Sequence, residues 1–151
     1  MHRRTLLLAA FAMPFVSTRG FAAPVAIEVY KSATCGCCGA WIAHLQASGF
    51  APSARNLEQN ALYDLKARVG LTPDLASCHT ALVDGYFIEG HVPAPDIARL
   101  LSEKPKALGL TVPGMPIGSP GMEMGDEREP FETLIVYADG RTEVFASHNQ
   151  A

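Results

Sequence analysis

The chain has 151 residues, 48% of them hydrophobic and 18% charged, enough to bury one core in one domain. Its 12 basic and 15 acidic residues give a formal charge of −3, with no Lys/Arg cluster. Nucleic acid and anionic lipid are therefore not expected as partners, whereas a cation is.

Residues 1–22 read as a cleaved export signal. Arg3 and Arg4 precede an apolar stretch broken only by Pro14, and Gly20 and Ala22 supply small residues before the cut. The stretch is too short for a good membrane anchor, and no later segment is apolar enough to span a bilayer. A buried N-terminal helix is the plainer alternative, and the paired arginines hint only weakly at twin-arginine export. Loss of 1–22 removes Arg3, Arg4 and Arg19, so basic residues fall from 12 to 9 against 15 acidic and the charge becomes −6. Residues 23–151 then form a single domain in an oxidising compartment.

Residues 25–30 (VAIEVY) alternate and are β-branched, which predicts a strand. The run Cys35-Gly36-Cys37-Cys38 follows. A helix is expected from Gly39, with Trp41, Ile42, Leu45 and Phe50 at helical spacing and Gly49 as its stop. A second short strand is expected over 54–57. Asn60 is the expected cap of a helix bearing Leu62, Leu65 and Val69 and ending at Gly70. Strands over 80–83 and 86–89 are joined by the turn pair Asp84-Gly85. Pro95 and Asp96 open a helix carrying Ile97, Leu100 and Leu101, which stops near Lys104-Pro105. Residues 109–130 are rich in Pro and Gly and are expected to be irregular; Met115, Met122 and Met124 all lie there. A last hairpin, 132–137 with 142–146, turns at Asp139-Gly140. The order β-α-β-α-β-β-α, with chemistry at the first strand-to-helix junction, resembles a thioredoxin-like α/β fold: a mixed sheet flanked by helices, followed here by a Met/Pro/Gly-rich loop and an extra β-hairpin.

All four cysteines lie beyond the leader, and three are crowded into four positions, where cross-links close almost no loop. Their purpose is local: metal, redox exchange or both. Cys35 and Cys38 have the C-x-x-C spacing of a redox pair, and a helix N-terminus would stabilise a thiolate there. Thiol–disulfide exchange needs only an attacking and a resolving thiol, so Cys37 calls for a different account. Thiolates select soft ions, Cu(I) above all, with Zn(II) as the borderline case. Cys78-His79, just before the predicted third strand, faces the first strand-to-helix junction in a thioredoxin-like layout. Thioethers bind Cu(I) well and Zn(II) poorly, which makes Met115, Met122 and Met124 candidate ligands; the ordinary reading of Met115 and Met122 is packing of the loop on the core. His79 is a candidate ligand beside Cys78, and His91 has both a ligand and a structural reading. His44 is expected to face solvent or cap a core edge, and His148 to be a loose ligand or inert. The sequence has no Gly-x-Ser-x-Gly elbow, phosphate loop or dinucleotide fingerprint, and the acidic run Glu123, Asp126, Glu127 and Glu129 reads as a solvated loop.

Three blocks, VYKSATCGCCGAW, ASCHTALVDGYFIEGHVPAPDI and LTVPGMPIGSPGMEMG, together resemble the signatures of an exported bacterial family of unknown function that includes the CopG-like periplasmic copper-resistance proteins. The resemblance implies a thioredoxin-like periplasmic domain that binds copper as Cu(I), in one ion or a multinuclear cluster, through Cys35, Cys37, Cys38, Cys78 and His79. Met115 and Met122 are motif residues in it. Many relatives carry Pro where this chain has Ala33, a change that removes no donor. Another periplasmic copper-handling protein, meeting the exposed acidic loop near the site, is the expected partner. A thiol–disulfide oxidoreductase using Cys35 and Cys38, and a structural zinc protein, are the alternatives.

Overall fold

The computed structural model describes residues 23–150. The leader read at 1–22 lies outside the described residues. Eleven elements follow in order: β1 (Val25–Lys31), α1 (Gly36–Ala47), β2 (Phe50–Asn56), α2 (Gln59–Arg68), a single 3-10 turn at Pro73–Leu75, β3 (His79–Val83), β4 (Tyr86–Glu89), α3 (Ala94–Glu103), β5 (Gly109–Thr111), β6 (Phe131–Val136) and β7 (Thr142–His148). They form one mixed sheet in the order β2-β1-β3-β4-β5-β6-β7. The pairs β1/β2 and β4/β5 are parallel and are spanned by α1 and α3, because a parallel pair needs a crossover. The remaining pairs are antiparallel.

The period-2 alternation of the strands divides the core between the two faces of the sheet. Ile27, Val29, Ala81, Val83, Ile88, Leu110 and Ile135 pack with Trp41 and Leu45 of α1 and Ile97 and Leu100 of α3. Phe87 and Val136 point the other way and pack with Leu71, just beyond α2. His79, two residues before Ala81, belongs to the first face. Thr80 and Glu89, paired across β3 and β4, belong to the second.

Several expected boundaries move. Helix α1 begins at Gly36 rather than Gly39, because Cys38 extends the buried stripe of Trp41 and Leu45 by one turn. Phe50 is not on that helix but opens β2, after Gly49 has turned the chain with φ +88°. Strand β2 is longer than the expected 54–57 because it pairs with β1 along its full length. Glu58, not Asn60, is the N-cap residue of α2. The stretch 109–130 is not wholly irregular, since Gly109–Thr111 forms the buried strand β5 that joins the C-terminal hairpin to the sheet. Among the described residues no helix is long and apolar enough to cross a membrane.

Candidate metal centre

Three stretches of chain converge at the N-terminal end of α1. Cys35 is the N-cap residue, with φ −75° and ψ 97°, and its amide donates to Ser32 O at 3.2 Å. Cys37 and Cys38 lie in the first turn, where backbone N–H groups lack intrahelical acceptors and the helix dipole favours a thiolate. Cys38, on the buried stripe, is fully enclosed, whereas Cys35, Cys37 and Cys78 are half-buried. The register of β1 with β3 sets Lys31 opposite His79, which brings Cys78-His79 to the cysteine turn.

Cys35 and Cys38 are joined by a disulfide, with their Cα atoms 5.5 Å apart, and Cys37 and Cys78 are free thiols. Cys37 Sγ lies 3.7 Å from Cys35 Sγ. Cys78 Sγ lies 3.8 Å from Cys37 Sγ and 3.6 Å from Cys38 Sγ. On its other side it is 3.3 Å from His79 Nδ1 and 3.2 Å from His91 Nε2. Cys78 is thus common to two clusters, Cys35/Cys37/Cys38/Cys78 and Cys78/His79/His91, each with its donor atoms within 4.8 Å of one another.

The two imidazoles are held differently. His91 Nδ1 lies 2.8 Å from Pro120 O, an acceptor only, so Nδ1 carries the proton and the Nε2 lone pair faces Cys78. This assignment follows from the hydrogen-bond network. His79 is completely buried, its ring 4.4 Å from that of Trp41 and 5.2 Å from that of His91. Its Nε2 has no hydrogen-bond partner among the described residues. Burial, helped by the charges of His91 and Lys66, pushes His79 down to about 3, and burial also lowers His91. Both rings are neutral at pH 7, the form in which imidazole binds a metal. Burial, reinforced by Cys37, pushes the Cys78 thiol up to about 12. Without metal it keeps its proton, which a bound cation would displace.

Residues 113–130 cover this site through their backbone. Pro120 O anchors His91, and Gly121 (φ +87°) sits so close to α1 that a Cβ there would be 2.6 Å from Trp41 N and 3.0 Å from Cys37 O. Met122, next in the chain, is half-buried, while Met115 and Met124 are 51% and 59% exposed. Met115 therefore does not plug the loop onto the core. Met115 instead lines a cavity of about 720 Å³, with Cys78, Ser77, Tyr63 and Leu71 also on its walls. His44 is half-buried and its Nε2 accepts the Ala94 amide at 3.1 Å, so it caps the start of α3. His148 lies apart from the cluster, 2.9 Å from Asp96 Oδ2, with its ring stacked on Phe131.

Sequence reasoning missed what supports these donors. Trp41 packs against His79, the two rings tilted at 44°, and donates Nε1–H to Val92 O at 2.8 Å. Lys66 and Glu89 form a buried ion pair beside the Cys78-His79 segment. The available signal was Glu89 itself, a lone carboxylate ending the otherwise apolar YFIE strand.

The donor set is four cysteine sulfurs, two of them free thiols and two joined in the disulfide, and two neutral imidazoles in a partly buried site. It fits a soft, thiophilic cation, and among the described residues neither donor cluster includes a carboxylate. A family described as a protein of unknown function, DUF411, matches residues 75–122. No curated protein matches by sequence. Among solved structures, one form of copper resistance protein CopG is 42% identical over 84% of this chain and 99% of its own, with a TM-score of 0.78. A second form is 43% identical over 83% of this chain and 98% of its own, with a TM-score of 0.77.

Proposed function

The chain belongs to the CopG-like, DUF411 family of copper-resistance proteins, and from that premise we propose that it captures Cu(I) on the cysteine cluster in the service of copper tolerance. One observation carries the reading. Three sulfur atoms and two neutral imidazoles from distant parts of the sequence are gathered around the sulfur of Cys78, with the donors of each cluster within 4.8 Å. The ligands are Cys35, Cys37, Cys38, Cys78 and His79, with His91 as a further donor. Its working place is the periplasm, reached by export on the leader at 1–22, which leaves 23–151 as the working domain. The reading is supported by donor softness, since thiolates and imidazoles favour Cu(I) over hard divalent ions.

Capture needs reduced sulfur. The Cys35–Cys38 disulfide supplies no thiolate, so loading follows its two-electron, two-proton reduction by a thiol reductant. Hand-over to a second copper-handling protein is supported by the exposed thioethers of Met115 and Met124, which are soft donors on the outside of the covering loop. The disulfide also favours a second reading, thiol–disulfide exchange through Cys35 and Cys38.

An anaerobic Cu(I) titration of the reduced chain against a competing chelator separates the two. Capture predicts tight binding that collapses in Cys37→Ser and Cys78→Ser. Exchange predicts no tight Cu(I) binding, with disulfide turnover in a separate metal-free assay that is indifferent to both substitutions; Cu(I) binding that is absent, or unchanged in both variants, would sink the copper reading.

A further inference from the structure

Behind the site, on the opposite face of the sheet, lies a charged group that copper capture does not use directly. Glu89 is completely buried and Lys66 nearly so, and they form an ion pair. Glu89 Oε1 also accepts the Ser77 amide at 2.6 Å, and Oε2 accepts the Thr80 hydroxyl at 2.6 Å. Lys66 Nζ donates to Thr80 Oγ1 at 2.9 Å. Every hydrogen bond of the carboxylate therefore goes to α2 or to residues immediately flanking Cys78-His79. Glu89 itself stands two residues before His91, and the Gly90 amide donates to His79 O at 3.0 Å.

Burying two ions costs more than their mutual attraction usually returns, and apolar residues of equal volume would hold α2 to the sheet at least as well. The pair is explained if the carboxylate is needed for what it holds. Cys78 precedes β3 and lies outside its hydrogen-bond ladder, so its backbone is held through Ser77, whose amide donates to Glu89 and whose hydroxyl donates to Gly114 O.

We infer that Glu89, oriented by Lys66, is a positioning residue for the copper site: it clamps Ser77 and Thr80 so that Cys78 and His79 present their donor atoms to the cysteine turn. The inference rests on the copper reading above. Glu89 touches no metal; it acts through the Ser77 amide and the Thr80 hydroxyl. Rigid presentation of Cys78 is what the site most needs, since Cys78 is the member its two donor clusters share. Loss of such an orienting partner typically lowers metal affinity about 10- to 100-fold.

Two double variants isolate the clamp from the charge. Lys66→Met with Glu89→Gln removes both charges but leaves a carbonyl to accept from Ser77 and an amide to donate to Thr80. Lys66→Met with Glu89→Leu removes the charges and the clamp together. Each reduced chain is titrated anaerobically with Cu(I) against a chelator, with the thiolate-to-copper absorption and the melting curve recorded. The Gln variant is expected to keep the native affinity and absorption. The Leu variant is expected to bind about 10- to 100-fold more weakly, with altered absorption, while still melting cooperatively. Equal affinity in the two variants overturns the inference and leaves the copper reading intact. If the unsubstituted chain does not bind Cu(I), both fall. Should the Leu variant not fold, Thr80→Val, which deletes one hydroxyl of the network, decides: weakened binding in a folded chain supports the clamp, and unchanged binding overturns it.

Discussion

Substituting Gly121 with alanine tests how the covering loop is seated, because the structure supplies both terms of its cost. Gly121 has φ +87°, a conformation that disfavours any residue with a Cβ by about 1–2 kcal/mol. The added methyl would lie 2.6 Å from Trp41 N and 3.0 Å from Cys37 O, the donor and acceptor of a backbone pair in the first turns of α1. Neither is the end of a flexible side chain, so the loop must lift, and overpacking of this kind costs about 1–3 kcal/mol more. Gly114→Ala is the control, because Gly114 also has positive φ (+70°) but nothing within 4 Å of a Cβ. Urea unfolding of the reduced, metal-free chain should then show a loss of about 1–2 kcal/mol for Gly114→Ala and about 2–5 kcal/mol for Gly121→Ala. Lifting the loop also withdraws Pro120 O from His91 Nδ1, so Cu(I) affinity should fall about 10-fold or more in the Gly121 variant alone. A Gly121→Ala chain no less stable than Gly114→Ala would refute the close seating of the loop on α1.

Four further outcomes are expected. Acid should destabilise the reduced, metal-free protein, because His79, His91 and His44 all have lowered pKa values and the unfolded chain takes up their protons first. Stability is complete above about pH 6.5 and falls below it, with His79 alone (folded value about 3) removing about 2 kcal/mol by pH 5 in urea melts run across this range. Lys66→Met by itself strands Glu89 as an unpaired buried carboxylate and should cost about 3–5 kcal/mol by chemical denaturation, more than the double exchange with Glu89→Gln. Cu(I) stoichiometry measured anaerobically should be lower for the oxidised chain than after dithiol treatment, because the disulfide withholds two sulfurs, and equal loading would contradict ligation by Cys35 and Cys38. His148→Phe should leave Cu(I) affinity unchanged while lowering the melting temperature, since His148 bonds Asp96 and not the cluster.

The parts of this architecture visible in the sequence are those with a local period or a local turn. Alternation in VAIEVY and the Asp84-Gly85 pair marked β1 and the β3–β4 hairpin, because one buried face and one tight turn each leave a signature within a few residues. The meeting of Cys78-His79 with the cysteine turn was legible through topology, once strand-cysteine-helix was taken as the first unit of the fold. Strand β5 was not legible: three residues, all buried, contain too little pattern to separate strand from loop. The true start of α1 was hidden because Cys37 and Cys38 read as chemistry rather than as helix, although Cys38 occupies the core position one turn before Trp41. The Pro120 carbonyl on His91 and the Lys66–Glu89 pair were invisible for a further reason. They join residues 29 and 23 positions apart through single contacts that impose no repeat on the sequence.

A C-x-x-C motif at a helix N-terminus serves thiol exchange and metal binding alike, so the choice between them lies in the surroundings of the sulfurs. Exchange depends on an accessible sulfur of low pKa that can attack and leave. Here Cys35, the first sulfur of the pair, is half-buried and Cys38 is fully enclosed, while Cys78, 3.6 Å from Cys38, has its pKa pushed up to about 12 by burial and by Cys37. Such a thiol is a poor nucleophile. It becomes a good ligand, because the penalty on its charge disappears when a cation shares the same desolvated space. The neutral imidazoles of His79 and His91 act in the same direction, adding donors without adding charge to an already thiol-rich pocket. The raised pKa of Cys78 and the two neutral imidazoles have no part in exchange through Cys35 and Cys38 but serve a trap for a soft monovalent ion, and that favours capture over exchange.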